Sequence, residues 1–329
     1  MSDTVVVGLD VGGTSTRATA LTLSGERLGT GRGGGGNPTS HGAERAAAEL
    51  LTALCGALAD VDPSRVRAGV IGLAGAARLL ADPAGRAAFD QAWARAGLRC
   101  PYAVHGDALV AYASGTAAPD GTVLVAGTGA IAAQVRDLRL DRVADGHGWL
   151  LGDAGSGFWL GRETVRSLLA TLDSGDPPGP LGRRVLTDLL GTADVAARSR
   201  DTVDALIQAV TRRPPVELAR LAPLVVAAAV DGEPEAVPLI ERAAAHLADS
   251  AGRIRPAGAV TPLVLGGGLL TGDTPLAAAV RVEAHRRWPD APVRTAGDGA
   301  AAAAWLAALD LPEVTDPAAL HARLVPTTP

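Results

Sequence analysis

A glycine turn between two extended segments near the start of the chain restricts the possible folds most strongly. Residues 4–10 form a valine-rich apolar run, which is typical of a buried strand. After Gly12 and Gly13, residues 16–23 alternate in polarity and are rich in threonine, which predicts a second strand. A dinucleotide-binding turn would instead lead from a strand into a helix. The pattern therefore predicts an antiparallel hairpin closed by glycines.

A second glycine turn of this kind occurs about one domain length later. Residues 122–126 predict a strand, residues 127–129 a turn and residues 131–135 a returning strand. Apolar residues at helical spacing predict helices over 42–59, 84–97, 160–170, 180–190, 201–210, 216–230, 234–254 and 299–309. One more strand is predicted over 260–265, and the chain closes with a polar, proline-punctuated tail. Strands that alternate with helices predict an α/β fold, and 329 residues suit two domains.

The chain contains no lysine, so all of its 30 basic residues are arginines. A P-loop and a Schiff-base enzyme both require a lysine, and both classes are therefore excluded. A phosphate group would have to be held by backbone N–H groups, hydroxyl groups and a metal ion, and glycine turns allow that close backbone approach.

Charge and cysteine content exclude further classes of function. A formal net charge of −5 offers no basic field for nucleic acid or an anionic membrane. No uninterrupted apolar run reaches the roughly 18 residues of a membrane span, and no signal peptide is visible. Cys55 and Cys100 lack the spacing of a disulfide framework or a zinc site. We therefore expect a cytoplasmic protein with neither nucleic acid nor a membrane as its partner.

The two glycine turns are candidates for phosphate binding. Residues 12–14 and 127–129 each combine glycines with a threonine hydroxyl, so that two turns in two domains could hold a polyphosphate. Alternatively, both are ordinary hairpin turns in which glycine supplies a positive φ.

Two aspartates follow predicted strands and could carry chemistry. Asp10 ends a buried strand, where a carboxylate is costly unless a cation such as Mg²⁺ lies nearby; alternatively it is a solvated turn residue. Asp107 precedes a predicted helix and is either its N-cap or a general base that accepts a hydroxyl proton.

Two polar loops could contact a polyhydroxy ligand. Asn37 follows four glycines and precedes a proline, which also suits a plain turn. Asp153 lies in a glycine-flanked loop before a helix and could reach a ligand hydroxyl; alternatively this loop is a plain turn with Ser156 as the helix N-cap.

Five short motifs occur in one order along most of the chain. They read V-G-L-D-V-G-G-T-S-T-R at 7–17, H-G-D-A at 105–108, V-A-G-T-G-A at 125–130, G-D-A-G-S-G-F-W at 152–159 and V-L-G-G-G-L-L at 264–270. Together they resemble the superfamily of sugar kinases, actin and heat-shock ATPases. Within it they resemble the N-acetylglucosamine kinase group, which also contains the ATPase activators of acyl-CoA reductases and dehydratases.

The resemblance implies two ribonuclease-H-like domains around a central cleft that binds ATP and a sugar. It implies a first domain at residues 1–117, on which residues 298–329 pack back, and a second domain at 118–297. The residues implied in ATP binding are Gly12, Gly13, Thr14, Gly127, Thr128, Gly129, Gly266 and Gly267. Asp10 would hold Mg²⁺ through water, and Asp107 would activate the sugar 6-hydroxyl. The residues implied in sugar binding are Asn37, Asp107, Gly146, His147 and Asp153.

We therefore expect an ATP- and Mg²⁺-dependent kinase that converts N-acetylglucosamine to its 6-phosphate. Glucosamine and other hexoses remain alternative substrates, and a homodimer is a family-level expectation. An ATPase switch that acts on a partner protein is the alternative of another class, although Cys55 and Cys100 give no convincing iron–sulfur site. A sugar-sensing binding protein is a third.

Overall fold

The computed structural model describes residues 4–325, which contain two five-stranded sheets flanked by helices. The strands are β1 (Val5–Val11), β2 (Thr16–Thr22), β3 (Arg27–Gly33), β4 (Val66–Leu73), β5 (Tyr102–Gly106), β6 (Gly121–Ala126), β7 (Ala130–Arg136), β8 (Arg139–Asp145), β9 (Leu263–Gly266) and β10 (Val293–Thr295). The helices are α1 (Pro38–His41), α2 (Ala43–Ala57), α3 (Ala76–Leu80), α4 (Pro83–Arg95), α5 (Asp107–Ala113), α6 (Gly157–Asp173), α7 (Pro180–Leu190), α8 (Ser199–Thr211), α9 (Ala222–Val230), α10 (Val237–Gly252), α11 (Pro275–Arg287), α12 (Gly299–Ala308) and α13 (Pro317–Leu324).

The first sheet has the strand order β3-β2-β1-β4-β5. Strands β1 and β2 pair antiparallel, as do β2 and β3, so the predicted N-terminal hairpin is confirmed. Strand β4 runs parallel to β1, and β5 runs parallel to β4. The carboxyl ends of β1, β4 and β5 therefore meet at one edge of the sheet.

The second sheet has the strand order β10-β9-β6-β7-β8. The predicted strands on either side of residues 127–129 are neighbours in it, as β6 and β7. The sequence patterns did not predict β8 or β10. Strand β8 carries arginines and aspartates on a largely exposed strand, and β10 has only three residues, so neither shows a buried apolar run.

The chain divides into two compact units. Unit 1 comprises the chain up to Val123, Val135–Asp141 and the chain from Arg294 onward; unit 2 comprises Leu124–Gln134 and Arg142–Val293. Among residues 4–325, no helix combines the length and apolarity needed to cross a membrane.

The core of unit 1 lies between one face of the first sheet and helices α2 and α4. Alternate residues of β1, Val5 to Val11 in steps of two, enter this core together with Ala18 and Ala20 of β2. Glycines of β3 allow close contact with α2, because a Cβ at Gly31 would overlap the backbone of Ala53. The period-2 alternation of a strand places the intervening residues on the opposite face.

Helix α12 covers the opposite face of the same sheet. Each of its ten residues is buried, and it packs against β1, β4 and β2. A Cβ at Gly8 would overlap the carbonyl oxygen of Ala300 and the amide nitrogen of Ala304, so glycine is what permits this close contact. Gly299, the first residue of α12, then lies against Asp10, two residues beyond Gly8 on the same face of β1.

The core of unit 2 is formed by β6, β9 and the surrounding helices α6 to α11. The helix predicted over 216–230 is divided into a 3₁₀ segment at Pro215–Leu221 and α9. Pro223 at the start of α9 lacks an N–H and is accommodated in the first turn of a new helix. Helix α11 was not predicted, and α13 lies in what was described from the sequence as a polar, proline-punctuated tail.

Candidate active site

The carboxyl edge of the first sheet brings two candidate aspartates together. Asp10 lies opposite Gly72 of β4, and Gly72 lies opposite His105 of β5. Asp107 follows β5 directly and begins α5. Gly72 has no side chain, and Val110 of α5 packs where a Cβ would lie, so α5 lies close on the sheet. The negative charge of Asp10 acts on Asp107 at this edge and raises its pKa.

Asp10 is a half-buried carboxylate for which the structure gives no hydrogen bond. Burial raises its pKa, the opposite charge of Arg17 lowers it, and the like charge of Asp298 raises it again. A Cβ at Gly299 would lie 2.7 Å from Asp10 Oδ2, so a larger residue there would displace the carboxylate. A partly buried carboxylate without a donor is an arrangement that a hydrated cation would stabilise.

Asp107 is the first residue of α5, and Gly106 holds the N-cap position. Its Oδ1 accepts a hydrogen bond from the N–H of Ala108, the next residue, at 2.9 Å, whereas an N-cap side chain accepts from the residue two or three positions later. Burial and the negative charge of Asp10 raise its pKa to about 6. Near neutral pH this group is ionised yet basic enough to accept a proton, which is the property required of a general base.

The turn at residues 12–15 closes the β1–β2 hairpin beside Asp10. The N–H of Gly12 donates to the carbonyl of Ser15 at 2.9 Å, and the Gly12 carbonyl accepts from Gly36 at 3.0 Å. Neither Gly12 nor Gly13 has a positive φ, so the alternative explanation of these glycines is not supported. A Cβ at Gly13 would meet nothing within 4 Å. The fold of the described chain does not itself require glycine there, whereas an anion on the backbone would.

Asn37 lies in the segment that crosses over this turn. It is the N-cap of α1, and its Oδ1 accepts from the N–H of Thr39 at 2.8 Å. His41 at the end of α1 contacts the Gly13 carbonyl through Nε2 at 2.8 Å. The Asn37 side chain therefore has a structural role through its oxygen, and the described part of the chain gives no hydrogen bond to its amide nitrogen.

The turn at residues 127–129 in unit 2 is attached to the start of α6. The carbonyls of Gly127 and Thr128 accept from the N–H groups of Gly157 and Phe158, at 2.8 and 3.1 Å. Gly127 has no positive φ, and a Cβ there would meet nothing within 4 Å, as at Gly13. Ser156 caps α6 by accepting from the N–H of Trp159 at 3.2 Å, as the plain-turn alternative for this loop expected.

Asp153 is buried beside this turn instead of lying in an open loop. Its Oδ1 accepts from the N–H of Ala130 at 3.0 Å, and a Cβ at Gly129 would lie 2.8 Å from the same oxygen. Burial raises the pKa of Asp153, the hydrogen bond from Ala130 lowers it, and the charge of Asp145 raises it. Asp153 has a φ of 57°, which is strained for a residue other than glycine.

Asp145 supports this loop and was not predicted from sequence. It is buried, and its two oxygens accept from the N–H groups of Asp153 at 2.7 Å and Ala154 at 3.0 Å. His147 is exposed, with Nδ1 3.9 Å from Asp145, and Gly146 donates its N–H to the carbonyl of Ala130 at 2.9 Å. The only sequence signal was an aspartate before two glycines, which is common in turns.

Gly266 and Gly267 lie beside the end of β6. A Cβ at Gly267, which has a φ of 81°, would overlap the backbone of Ala126, the residue before Gly127. The carbonyl of Ala126 also accepts from the N–H of Leu269 at 3.1 Å. Gly266 and Gly267 therefore lie next to the turn at 127–129 within unit 2.

Each unit, taken by itself, offers features that suit part of a bound ATP or its Mg²⁺. Open backbone at Gly13 and Gly127 leaves room for phosphate oxygens, and Asp10 is a carboxylate without a hydrogen-bond donor. Among residues 4–325, no group of three or more acidic, histidine or cysteine side chains could hold a metal ion. Mg²⁺ beside a polyphosphate needs only one or two carboxylates and otherwise keeps water.

The sheet orders, the acidic sheet edge and the glycine turns define an α/β protein of the sugar kinase and actin-like ATPase class. The model of the BadF/BadG/BcrA/BcrD ATPase family matches residues 7–306, and the chain belongs to this family. The resemblance in the sequence motifs is thereby confirmed, and so is the predicted fold class.

Individual relatives carry sugar kinase names. An N-acetyl-D-glucosamine kinase of Dictyostelium discoideum is 29% identical over 201 residues, which are 57% of this chain and 61% of that protein. The chain thus matches less than two thirds of that relative's length. A structure of a candidate N-acetylglucosamine kinase from Chromobacterium violaceum has 25% identity and a TM-score of 0.71, covering 92% of this chain and 98% of that one. A ROK family glucokinase from Streptomyces griseus, in complex with glucose and AMPPNP, shares the fold with a TM-score of 0.58 at 23% identity, covering 92% of this chain and 99% of that one.

Proposed function

We propose that this protein is an ATP-dependent kinase that phosphorylates the 6-hydroxyl of N-acetylglucosamine. Membership of an ATPase family supports the use of ATP, and the names of its relatives support a sugar as acceptor. The observation that carries the proposal is Asp107, a carboxylate with a pKa raised to about 6 beside Asp10 at the carboxyl edge of the sheet. Glucosamine and other hexoses are alternative substrates, and the homodimer and the cytoplasmic location stay predictions.

In this proposal Asp107 orients the sugar hydroxyl and accepts its proton as the oxygen attacks phosphorus. Phosphoryl transfer requires in-line positioning and stabilisation of charge more than covalent chemistry by the protein. Bound Mg²⁺ would neutralise charge on the phosphates, with Asp10 as its carboxylate. The backbone N–H groups of the glycine turns would donate to phosphate oxygens.

The sugar would be recognised by polar groups on short loops. The amide nitrogen of Asn37 would donate to a sugar hydroxyl while its oxygen caps α1. Asp153 would accept from a hydroxyl through the oxygen that does not bind Ala130. Gly146 and His147 would lie against the sugar beside Asp153.

A coupled assay of ADP release over a panel of sugars tests the proposal. We expect N-acetylglucosamine to raise the rate well above the sugar-free rate, with formation of a sugar 6-phosphate detected by mass spectrometry. Glucosamine, N-acetylmannosamine and glucose serve as competitors that rank the substrates. If no amino sugar or hexose raises ADP release, the proposal is wrong.

Replacing Gly13 with alanine should weaken nucleotide binding without unfolding the protein. The added methyl group meets nothing within 4 Å, so the melting temperature should stay within about 1 °C, whereas a phosphate approaching the backbone would be displaced. We expect a roughly tenfold rise in the Kd of AMPPNP, which corresponds to about 1.4 kcal/mol. Gly252→Ala, at the end of α10 with its nearest neighbour 3.5 Å away, is the matched control. An unchanged Kd in Gly13→Ala would remove this turn from the nucleotide site.

A further inference from the structure

Helix α1 and the glycines before it lie against one side of the turn at residues 12–15, and both segments belong to unit 1. The Gly12 carbonyl accepts from the N–H of Gly36 at 3.0 Å. The Gly13 carbonyl lies 2.8 Å from Nε2 of His41. Because a carbonyl oxygen can only accept, Nε2 carries the hydrogen and donates it. Two successive carbonyls of the turn are therefore held towards the same neighbouring segment.

These two hydrogen bonds fix the orientation of two peptide groups. In a trans peptide the C=O of one residue and the N–H of the next point in opposite directions, and no peptide bond among residues 4–325 is cis. The N–H groups of Gly13 and Thr14 therefore point away from α1. Both residues are exposed, and the described part of the chain gives neither N–H a hydrogen-bond partner. Two free donors in succession suit an anion.

The His41 imidazole is tied through one helical turn to Asn37, the candidate sugar donor. The N–H of His41 donates to the Asn37 carbonyl at 3.0 Å, and Asn37 Oδ1 caps the same turn through the N–H of Thr39 at 2.8 Å. A Cβ at Gly35 would overlap the Gly13 carbonyl and lie 2.6 Å from His41 Nε2, so these groups are in close contact. A displacement of Asn37 would therefore move the imidazole that holds the turn.

We propose that His41 is a positioning residue for the turn at residues 12–15. It holds the peptide between Gly13 and Thr14 so that the N–H of Thr14 is directed towards the polyphosphate. Through its link to Asn37 it also couples a bound sugar to the affinity for that polyphosphate. The inference rests on the proposed function, which supplies both ligands, and His41 itself contacts neither of them. The hydrogen bond to the Gly13 carbonyl polarises this peptide and strengthens its N–H as a donor.

Calorimetric titration of three ligands tests the positioning role without relying on turnover. AMPPNP carries the base and the phosphates, inorganic tripolyphosphate carries only the phosphates, and adenosine carries only the base and ribose. His41→Phe keeps a planar ring and loses the donor, and we expect it to weaken AMPPNP and tripolyphosphate about fivefold, as the loss of one hydrogen bond does. Adenosine affinity should stay the same. His41→Gln keeps an N–H donor and should recover most of the loss.

The coupling is measured by repeating the AMPPNP titration in saturating N-acetylglucosamine. In the wild-type protein the sugar should lower the Kd of AMPPNP at least about fivefold, and AMPPNP should lower the Kd of the sugar by the same factor. In His41→Phe this factor should approach one, and His41→Gln should restore it. A wild-type factor near one, or the full wild-type factor in His41→Phe, would overturn the coupling.

His285→Phe is the matched control, because His285 is an exposed histidine in the last turn of α11 in unit 2. It should leave the affinities for all three ligands within twofold of wild type. Tripolyphosphate affinity within twofold of wild type in His41→Phe would overturn the positioning role. Equal losses for adenosine and tripolyphosphate would also overturn it, since they would indicate a purely structural role. If both roles of His41 hold and no sugar is phosphorylated, the inference stands and the proposed function is wrong.

Discussion

Replacing Asp107 with asparagine should lower sugar-dependent turnover by at least about 10²–10⁴-fold, the usual contribution of a positioned general base. Asparagine keeps the size and the oxygen that accepts from Ala108, but it cannot take a proton from the sugar hydroxyl. The change also removes the electrostatic repulsion between Asp10 and Asp107, so the protein should not be destabilised. The expected result is therefore a loss in kcat with little change in the affinity for AMPPNP or sugar.

The pH profile gives this variant a second, independent readout. The base must be ionised to act, and its pKa is raised to about 6. In the wild-type protein, kcat/KM should be constant above about pH 7. Below about pH 6 it should decrease by up to tenfold for each pH unit. The residual activity of Asp107→Asn should lack this acidic limb, because the titrating group is gone. Rates measured in constant-ionic-strength buffers from pH 5 to 8.5 check both curves.

The control for Asp107→Asn is the same change at Asp60, an exposed carboxylate of unit 1. That variant should retain wild-type turnover and the wild-type pH profile. If Asp107→Asn keeps more than about a tenth of the wild-type rate, or still shows the acidic limb, Asp107 is not the base.

Replacing Gly8 with alanine should destabilise unit 1 by about 3 kcal/mol or more. The new Cβ would overlap two backbone atoms of α12, Ala300 O and Ala304 N, which cannot rotate away as the end of a side chain can. Helix α12 would have to move off β1, and its ten buried residues would lose contact with the sheet. At roughly 2–4 °C per kcal/mol for a unit of this size, the melting temperature should fall by about 6–12 °C.

Gly13→Ala is the control for Gly8→Ala. Both changes add one methyl group, five residues apart, at the start of the chain. Gly13 has open space at its Cβ position, so only Gly8→Ala should change the thermal unfolding of the protein measured without ligand. A melting temperature within about 2 °C of wild type in Gly8→Ala would contradict the close packing of α12 on β1. The same variant should also lose nucleotide affinity, because Gly299 and Asp10 are brought together by this packing.

The strands with apolar runs and the glycine turns could be predicted because their signals are local. Residues 4–10 appear as β1, and the turn residues 12–15 and 127–129 lie between neighbouring strands as expected. Strand β8 was missed because its charged residues carry no apolar run; it is instead held by pairing within the second sheet. A proline-rich tail concealed α13, in which proline occupies the first helical position.

Some residues of the candidate site could be chosen from the sequence, and others could not. Asp10 and Asp107 became candidates from the sequence because each lies at the end of a predicted strand or just after one, although a turn or a helix cap also explained each of them. Their roles in the reaction, like those of the other site residues, stay proposals. Asp145 could not be singled out, since the N–H groups that it accepts lie eight and nine residues later in a loop with its own strained residue.

What the amino-acid order determined by itself was the class of fold, the two glycine turns and the exclusion of lysine chemistry, because these depend on residue type and short-range periodicity. Tertiary structure alone decided which side chains share a face: the opposition of Asp10, Arg17 and Arg32, the contact of Gly299 with Asp10, and the raised pKa of Asp107. Each of these depends on strand register or on burial by a segment about 100 to 300 residues distant, and no local pattern encodes either.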